Sequence, residues 1–183
     1  HLLEPLNTPL QPLWEALQNG TYQRPFVLEQ DGQRALHFSL RYIQSTMDMA
    51  NPSALTLEYT AAMMAFLLFV PTPREMVLAG LGGGSLVRFI YENLLKTKLS
   101  VIENNQDVID LAPAFYLPRP NERLAIHAGD ALVDIRQLRD VDVLVLDIFD
   151  RDGLIPGLAD LAFLSEVKDC LAPEGMVVMN LAG

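Results

Sequence analysis

The sequence predicts an α/β protein built on a doubly wound parallel sheet, with a small antiparallel β element ahead of it. Three observations carry that prediction. Short runs rich in Val, Ile and Leu (MVLAGL, KLSVIE, RLAIHAG, DVLVLDI and MVVMNL) follow one another from Arg74 onward, separated by helix-length segments such as SLVRFIYENLL and DVIDLAPAFY. Their apolarity is continuous rather than alternating, as expected of parallel strands covered by helices on both faces. A glycine-dense turn, GLGGGS at residues 80 to 85, joins the first run to the first helical segment.

Residues 1 to 54 read as an N-terminal arm and a small hairpin region. Pro5, Pro9 and Pro12 make residues 1 to 19 irregular, although LWEALQN has one or two helical turns in it. RPFVLEQDGQRALHFSLRYIQS contains two alternating segments joined at Asp31-Gly32, a composition suited to a tight hairpin turn. Residues 55 to 70 read as a connecting helix: LTLEYTAAMMAFLLF, Leu55 to Phe69, has helical length and is stopped by Pro71 and Pro73. It is apolar nearly all round, which predicts burial between the hairpin and the parallel sheet. Residues 71 to 183 read as the Rossmann-like parallel-sheet domain, with no internal repeat or low-complexity tract.

At 183 residues, 50% hydrophobic and 20% charged, the chain suits one domain with an appendage. The net charge of −10 repels phosphate backbones and draws in cations, so nucleic acid is disfavoured as a partner and a small cationic amine is favoured; acidity for solubility alone gives the same number. A lone cysteine, Cys170, excludes an internal disulfide. His1, His37 and His127 are scattered without ligand spacing, so no metal site is expected. AAMMAFLLFV at 61 to 70 is too short to span a bilayer and no signal peptide is recognisable, which predicts no membrane partner and a cytoplasmic address. The start at His1 and the stop at Gly183 just after a strand-like run predict a longer parent, cut at its C-terminus.

In doubly wound sheets, ligands bind outside the carboxyl ends of the strands near the switch point. Gly80, Gly82, Gly83 and Gly84 let the backbone approach a ligand, although glycines also ease helix-on-sheet packing. Glu103 ends KLSVIE about 20 residues further on, where an acid accepts the hydrogen bonds of a ribose diol. Asp130 and Ala131, in GDA after RLAIHA, suit an adenine: the acid accepts from the exocyclic amine and alanine leaves room for the ring. Asp147 and Asp150, in DVLVLDIFD, offer a general base and a holder for a cationic group, with mutual repulsion raising one pKa; a polar loop is the plainer reading of Asp150. Tyr59 lies on the connecting helix, where a core or interface tyrosine is the commoner role.

Taken together, these segments resemble the spermidine synthase (polyamine aminopropyltransferase) family, whose core is the Rossmann-like fold of class I AdoMet-dependent methyltransferases. The resemblance runs from about Phe26 to Leu181. It is carried by IQS at 43 to 45, the helix with Tyr59, VLAGLGGGSLVR, VIENNQDVIDLA, GDA, DVLVLDIFD and FLSEVKDCLAPEGMVVMNL. It implies that Gln44 and Tyr59 face the donor and substrate cleft, that Glu103 holds the ribose and Asp130 the adenine, and that Asp147 is the base. The implied co-substrate is decarboxylated AdoMet, or AdoMet itself.

The family's GGGDGG loop places an aspartate on the aminopropyl ammonium of the donor. Gly83 stands in that place here, Thr60 replaces the family's histidine or glutamine, and Arg151 its usual proline. Losing one charge-assisted hydrogen bond of about 1.5 to 3 kcal/mol weakens donor binding roughly tenfold to over a hundredfold. The first expectation is therefore a transferase moving an aminopropyl (alkyl) group to a small amine, with Asp147 as base and Asp150 anchoring the remote end of a diamine. The alternatives are an AdoMet-dependent methyltransferase of the same fold and a nucleoside-binding module without turnover. A homodimer is expected, formed through the N-terminal sheet in the case of the module without turnover.

Overall fold

The computed structural model describes residues 2–3, 9–149, 155 and 157–181. At the N-terminal end, β1 (Leu2–Leu3), β2 (Phe26–Gln30), β3 (Gln33–Ser39) and β4 (Tyr42–Asp48) form an antiparallel sheet in sequential order. The Asp31-Gly32 turn is present, with φ of 52° and 78°, and Gln30 pairs with Gln33 across it. Positive φ at both central positions matches the twist of the flanking strands, which is why Asp-Gly works there. The hairpin is only part of the element, because β4 and the short β1 extend it to four strands. Helix α1 (Leu10–Gln18) runs through the arm and buries Leu13 and Leu17 against Leu2 and Phe26. Pro12 is tolerated because it falls in the first helical turn, where no intrahelical N–H partner is required.

The connecting helix is shorter than its sequence predicts. Helix α2 spans only Glu58–Met63 and tightens into a 3-10 turn over Met64–Leu68. The Thr56 hydroxyl donates to the Thr46 carbonyl at 3.2 Å and lies 2.5 Å from the Thr46 hydroxyl, so the preceding residues are pinned to β4 in extended form. The Thr60 hydroxyl donates to the Leu57 carbonyl at 2.6 Å, which the Thr60 N–H also reaches at 3.0 Å, and no side chain caps the first turn. Burial all round is also corrected: Thr60, Met63, Met64 and Phe66 are buried, whereas Leu68 and Phe69 are 83% and 73% exposed.

The parallel sheet contains β5 (Glu75–Ala79), β6 (Lys98–Glu103), β7 (Leu124–Ala128), β8 (Val141–Leu146) and β9 (Leu171–Met179) in the order β7-β6-β5-β8-β9. All four pairings are parallel. Helices α3 (Ser85–Asn93), α4 (Gln106–Leu111), α5 (Ala131–Asp134) and α6 (Leu161–Cys170) supply the crossovers. Successive residues of a strand face opposite sides. Met76, Leu78, Val101, Val143 and Val145 accordingly pack on the α3 side, with Leu86, Val87 and Ile90. Val77, Ala79, Ile102, Leu144 and Leu146 pack on the other side, with Phe163, Val167 and Cys170 of α6. Continuous apolarity in the sequence is thus two interleaved faces, each buried; removing one fully buried leucine side chain such as Leu144 would destabilise the sheet by about 2–5 kcal/mol.

Cys170 ends α6, fully buried, with its thiol donating to the Val167 carbonyl at 3.0 Å; burial pushes its pKa up. Among the described residues no helix is long and apolar enough to cross a membrane.

Candidate active site

The strand order reverses at β5, whose neighbours β6 and β8 are reached by opposite excursions of the chain. A cavity of about 220 Å³ opens there, over the carboxyl ends of β5, β6, β7 and β8. Its floor is the glycine loop. Gly80 (φ +92°) and Gly82 (φ +50°) line the cavity, and a Cβ on Gly80 would collide with the Asp147 carbonyl oxygen, so β5 and β8 can leave the sheet side by side only with glycine there. Gly83 and Gly84 face away from it. Gly84 (φ +70°) starts α3 and packs on Leu117. A Cβ on Gly83 would lie 2.7 Å from the Ser45 hydroxyl oxygen, 2.9 Å from the Ser45 Cβ and 3.1 Å from the Phe115 ring.

The loop is anchored from beneath by Arg88 of α3, which is 2% exposed. Its guanidinium donates to the carbonyls of Gly83 at 2.6 Å, Phe115 at 2.8 Å and Pro52 at 2.5 Å, tying the glycine loop to the segments on either side. Burial brings its pKa down to about 10.

Glu103 is 8% exposed at the end of β6. Its carboxylate accepts from the Leu81 N–H and the Asn105 N–H, both at 2.8 Å, and Asn105 in turn caps α4 by accepting from the Asp107 N–H at 3.0 Å. Each Glu103 oxygen retains a second lone pair, and the residue lines the cavity, so the carboxylate is oriented and still able to accept from a diol. Asp130 caps α5 by accepting from the Leu132 N–H at 2.9 Å; it is exposed on the rim, next to buried Ala131. Gln44 of β4 and Tyr59 of α2 reach the cavity from the N-terminal side.

Asp147 follows β8 and carries a largely buried carboxyl. Burial raises its pKa, while hydrogen bonds from the Asn180 amide (2.9 Å) and from the Tyr59 hydroxyl pull it back. Tyr59 is pushed upward in turn, by burial first and then by the Asp147 charge. Burial is the largest cause of the upward shift of Asp147; Asp150, the second acid expected beside it, and Arg151 lie outside the described residues. Glu103, Asp130 and Asp147 are thus brought to one cavity, and none of the described residues lining it is Lys, Arg or His. Among the described residues no group of three or more His, Cys, Asp and Glu side chains could hold a metal ion.

Sequence reasoning missed Asn180 and Gln23. Asn180 follows β9 directly, just as Asp147 follows β8, and the strand-end rule applied to MVVMN would have found it. Gln23 lines the cavity from the segment between α1 and β2, and its neighbour Arg24 makes a two-pronged ion pair with Asp107 of α4 at 2.8 and 3.2 Å.

Five parallel strands with a glycine loop, a strand-end acid after the second strand and a cavity over the switch point define the class I AdoMet-dependent methyltransferase fold. A probable spermidine synthase from Corynebacterium glutamicum superposes with a TM-score of 0.71 at 18% identity, covering 85% of this chain and 60% of that one. Human methyltransferase-like protein 13 in complex with SAH superposes with a TM-score of 0.60 at 26% identity, covering 66% of this chain and 63% of that one. No family model matches the chain. A polyamine aminopropyltransferase of Chromobacterium violaceum is 32% identical over 180 residues, covering 97% of this chain and 67% of that one. The chain belongs to the polyamine aminopropyltransferase family. It spans 67%, 60%, 60% and 57% of the length of four curated aminopropyltransferases that it matches.

Proposed function

We propose that this chain transfers an aminopropyl group from decarboxylated AdoMet to a small amine. The supporting observation is the charge of the cavity: Glu103, Asp130 and Asp147 line it, with no cationic side chain among the described lining residues. A donor bearing a sulfonium and an ammonium suits that field, as does an amine acceptor, whereas a methionine carboxylate would find no positive side chain among the described lining residues. Residues 71 to 183 act as the nucleoside-binding domain. Glu103 accepts from the ribose hydroxyls, Asp130 from the adenine amine, and Gly80 and Gly82 leave room for close backbone approach.

The donor supplies an electrophilic carbon beside its sulfonium. The amine nitrogen forms the new N–C bond there, the C–S bond breaks, and its electron pair stays on sulfur, giving methylthioadenosine. Only the free amine carries a nucleophilic lone pair, so a proton must leave the ammonium. Asp147 receives it, with Tyr59 donating to the carboxylate, and Asp150 holds the far cation of a diamine. The protein is read as cytoplasmic and as a homodimer formed through the N-terminal sheet, where Leu40 before the edge strand β4 and Ile43 within it are 42% and 57% exposed; sedimentation checks this.

Incubation with putrescine and decarboxylated AdoMet should release methylthioadenosine. Tight binding of intact AdoMet without such release would overturn the proposal. One observation favours methyl transfer from AdoMet instead: Ser45 and Phe115 crowd the position where the family carries its donor-gripping aspartate. A preference for AdoMet over its decarboxylated form, with methylated amine as product, would establish that second reading.

A further inference from the structure

The polar cluster at the ends of β8 and β9 contains a group that the proposed reaction leaves without a task. The two strands run parallel with Leu146 opposite Met179, so Asp147 and Asn180, each one residue further on, leave the sheet as neighbours. Main-chain bonds fix both: the Asp147 N–H donates to the Ala79 carbonyl and the Asn180 N–H to the Leu146 carbonyl, each at 2.9 Å. Sheet geometry thus persists one residue past the named strands. Matched positions on adjacent strands place their side chains on the same face, and the Asn180 Nδ2 accordingly reaches the Asp147 Oδ1 at 2.9 Å.

A carboxylate at a strand end has two free torsions, and a proton acceptor works only with a lone pair aimed at the donor and with its charge intact. Burial opposes the charge at Asp147. Tyr59 supplies one donor from α2, and the Asn180 amide supplies another from β9. Among the described residues, the other titratable groups on the cavity, Glu103 at the end of β6 and Asp130 before α5, are carboxyls and give no compensating cation.

We propose that Asn180 is a positioning residue, whose amide sets the rotamer of the Asp147 carboxylate and holds it in the ionised, proton-accepting form. The inference rests on the reading of Asp147 as proton acceptor, but its central prediction is measurable without turnover. The Asp147 carboxyl is followed by ¹³C NMR in aspartate-labelled full chain without nucleoside, and identified by its loss in Asp147→Asn. Asn180→Leu removes the donor at similar volume. It should raise the midpoint by about one pH unit or more, a roughly tenfold change in the ionisation constant, because a hydrogen bond to the charged form is lost. Asn180→Asp should raise it further, since two carboxyls at hydrogen-bond distance cannot both ionise freely.

With putrescine and decarboxylated AdoMet, the acidic limb of kcat should move by the same amount, while KM for the donor stays within about twofold. Asn180→Asp is nearly isosteric and carries the test if the leucine variant does not fold. Midpoints within about 0.3 unit of the wild type in the folded variants would overturn the proposal, because the cited hydrogen-bond effect is several times larger. Shifted midpoints with no product from any protein would overturn the transferase reading and leave the positioning role supported.

Discussion

Replacing Gly83 by alanine places a Cβ 2.7 Å from the Ser45 hydroxyl oxygen and 2.9 Å from its Cβ. Gly83 is absent from the positive-φ glycines, so the obstacle is steric rather than conformational. Ser45 is buried on β4 with its hydroxyl 3.1 Å from that of Ser85, which leaves it little room to yield. Overpacking of this kind costs about 1–3 kcal/mol. In a chain of this length that corresponds to a fall in Tm of about 2–12 °C, at about 2–4 °C per kcal/mol.

Ser45→Gly removes both close atoms. On its own it loses the contact with Ser85 and stiffness in a strand, roughly 1–2 kcal/mol in all. In the double variant the contacts with Ser45 vanish and only the 3.1 Å approach to the Phe115 ring remains, so thermal melts of the four proteins should show a favourable coupling of about 1–3 kcal/mol. Strict additivity, or a Gly83→Ala Tm equal to wild type, would refute the packing account of this loop.

Three other outcomes follow from the site. Because the Asp147 pKa is raised in the folded chain, its stabilising effect is present below the unfolded carboxyl pKa and lost as pH rises through the folded value. Asp147→Asn should therefore abolish turnover yet melt at a higher temperature than wild type at pH 8, with the gap closing near pH 4. The Arg24–Asp107 pair is 67% and 35% exposed, so Arg24→Ala should raise the donor KM only a few-fold at low salt, an effect that disappears in about 0.5 M salt. Arg88→Met leaves three carbonyls without their buried donor and should lower stability by at least about 3 kcal/mol in urea titrations; Arg88→Lys rescues little, because one ammonium cannot reproduce the planar fork.

The parallel sheet was legible because burial on both faces leaves an unbroken apolar run, and the strand-end rule then pointed to Glu103, Asp130 and Asp147. The connecting helix was misread for a tertiary reason: propensity favoured a helix from Leu55, but the Thr56 bonds to Thr46 hold that start extended. The inward side of Gly83 was equally hidden, since its neighbours Ser45 and Phe115 lie 38 and 32 positions away in the sequence. Asn180 went unnoticed because an asparagine has no charge to draw attention; its role exists only through the register of β8 with β9.

The buried thiol of Cys170 gives the chain an internal clock. With one cysteine, fully enclosed and less acidic than usual, the folded protein should ignore thiol reagents until α6 lifts from the sheet. Labelling rate then reads the frequency of that opening directly, and a nucleoside that clamps the opposite, carboxyl end of the sheet should slow it without ever touching the sulfur.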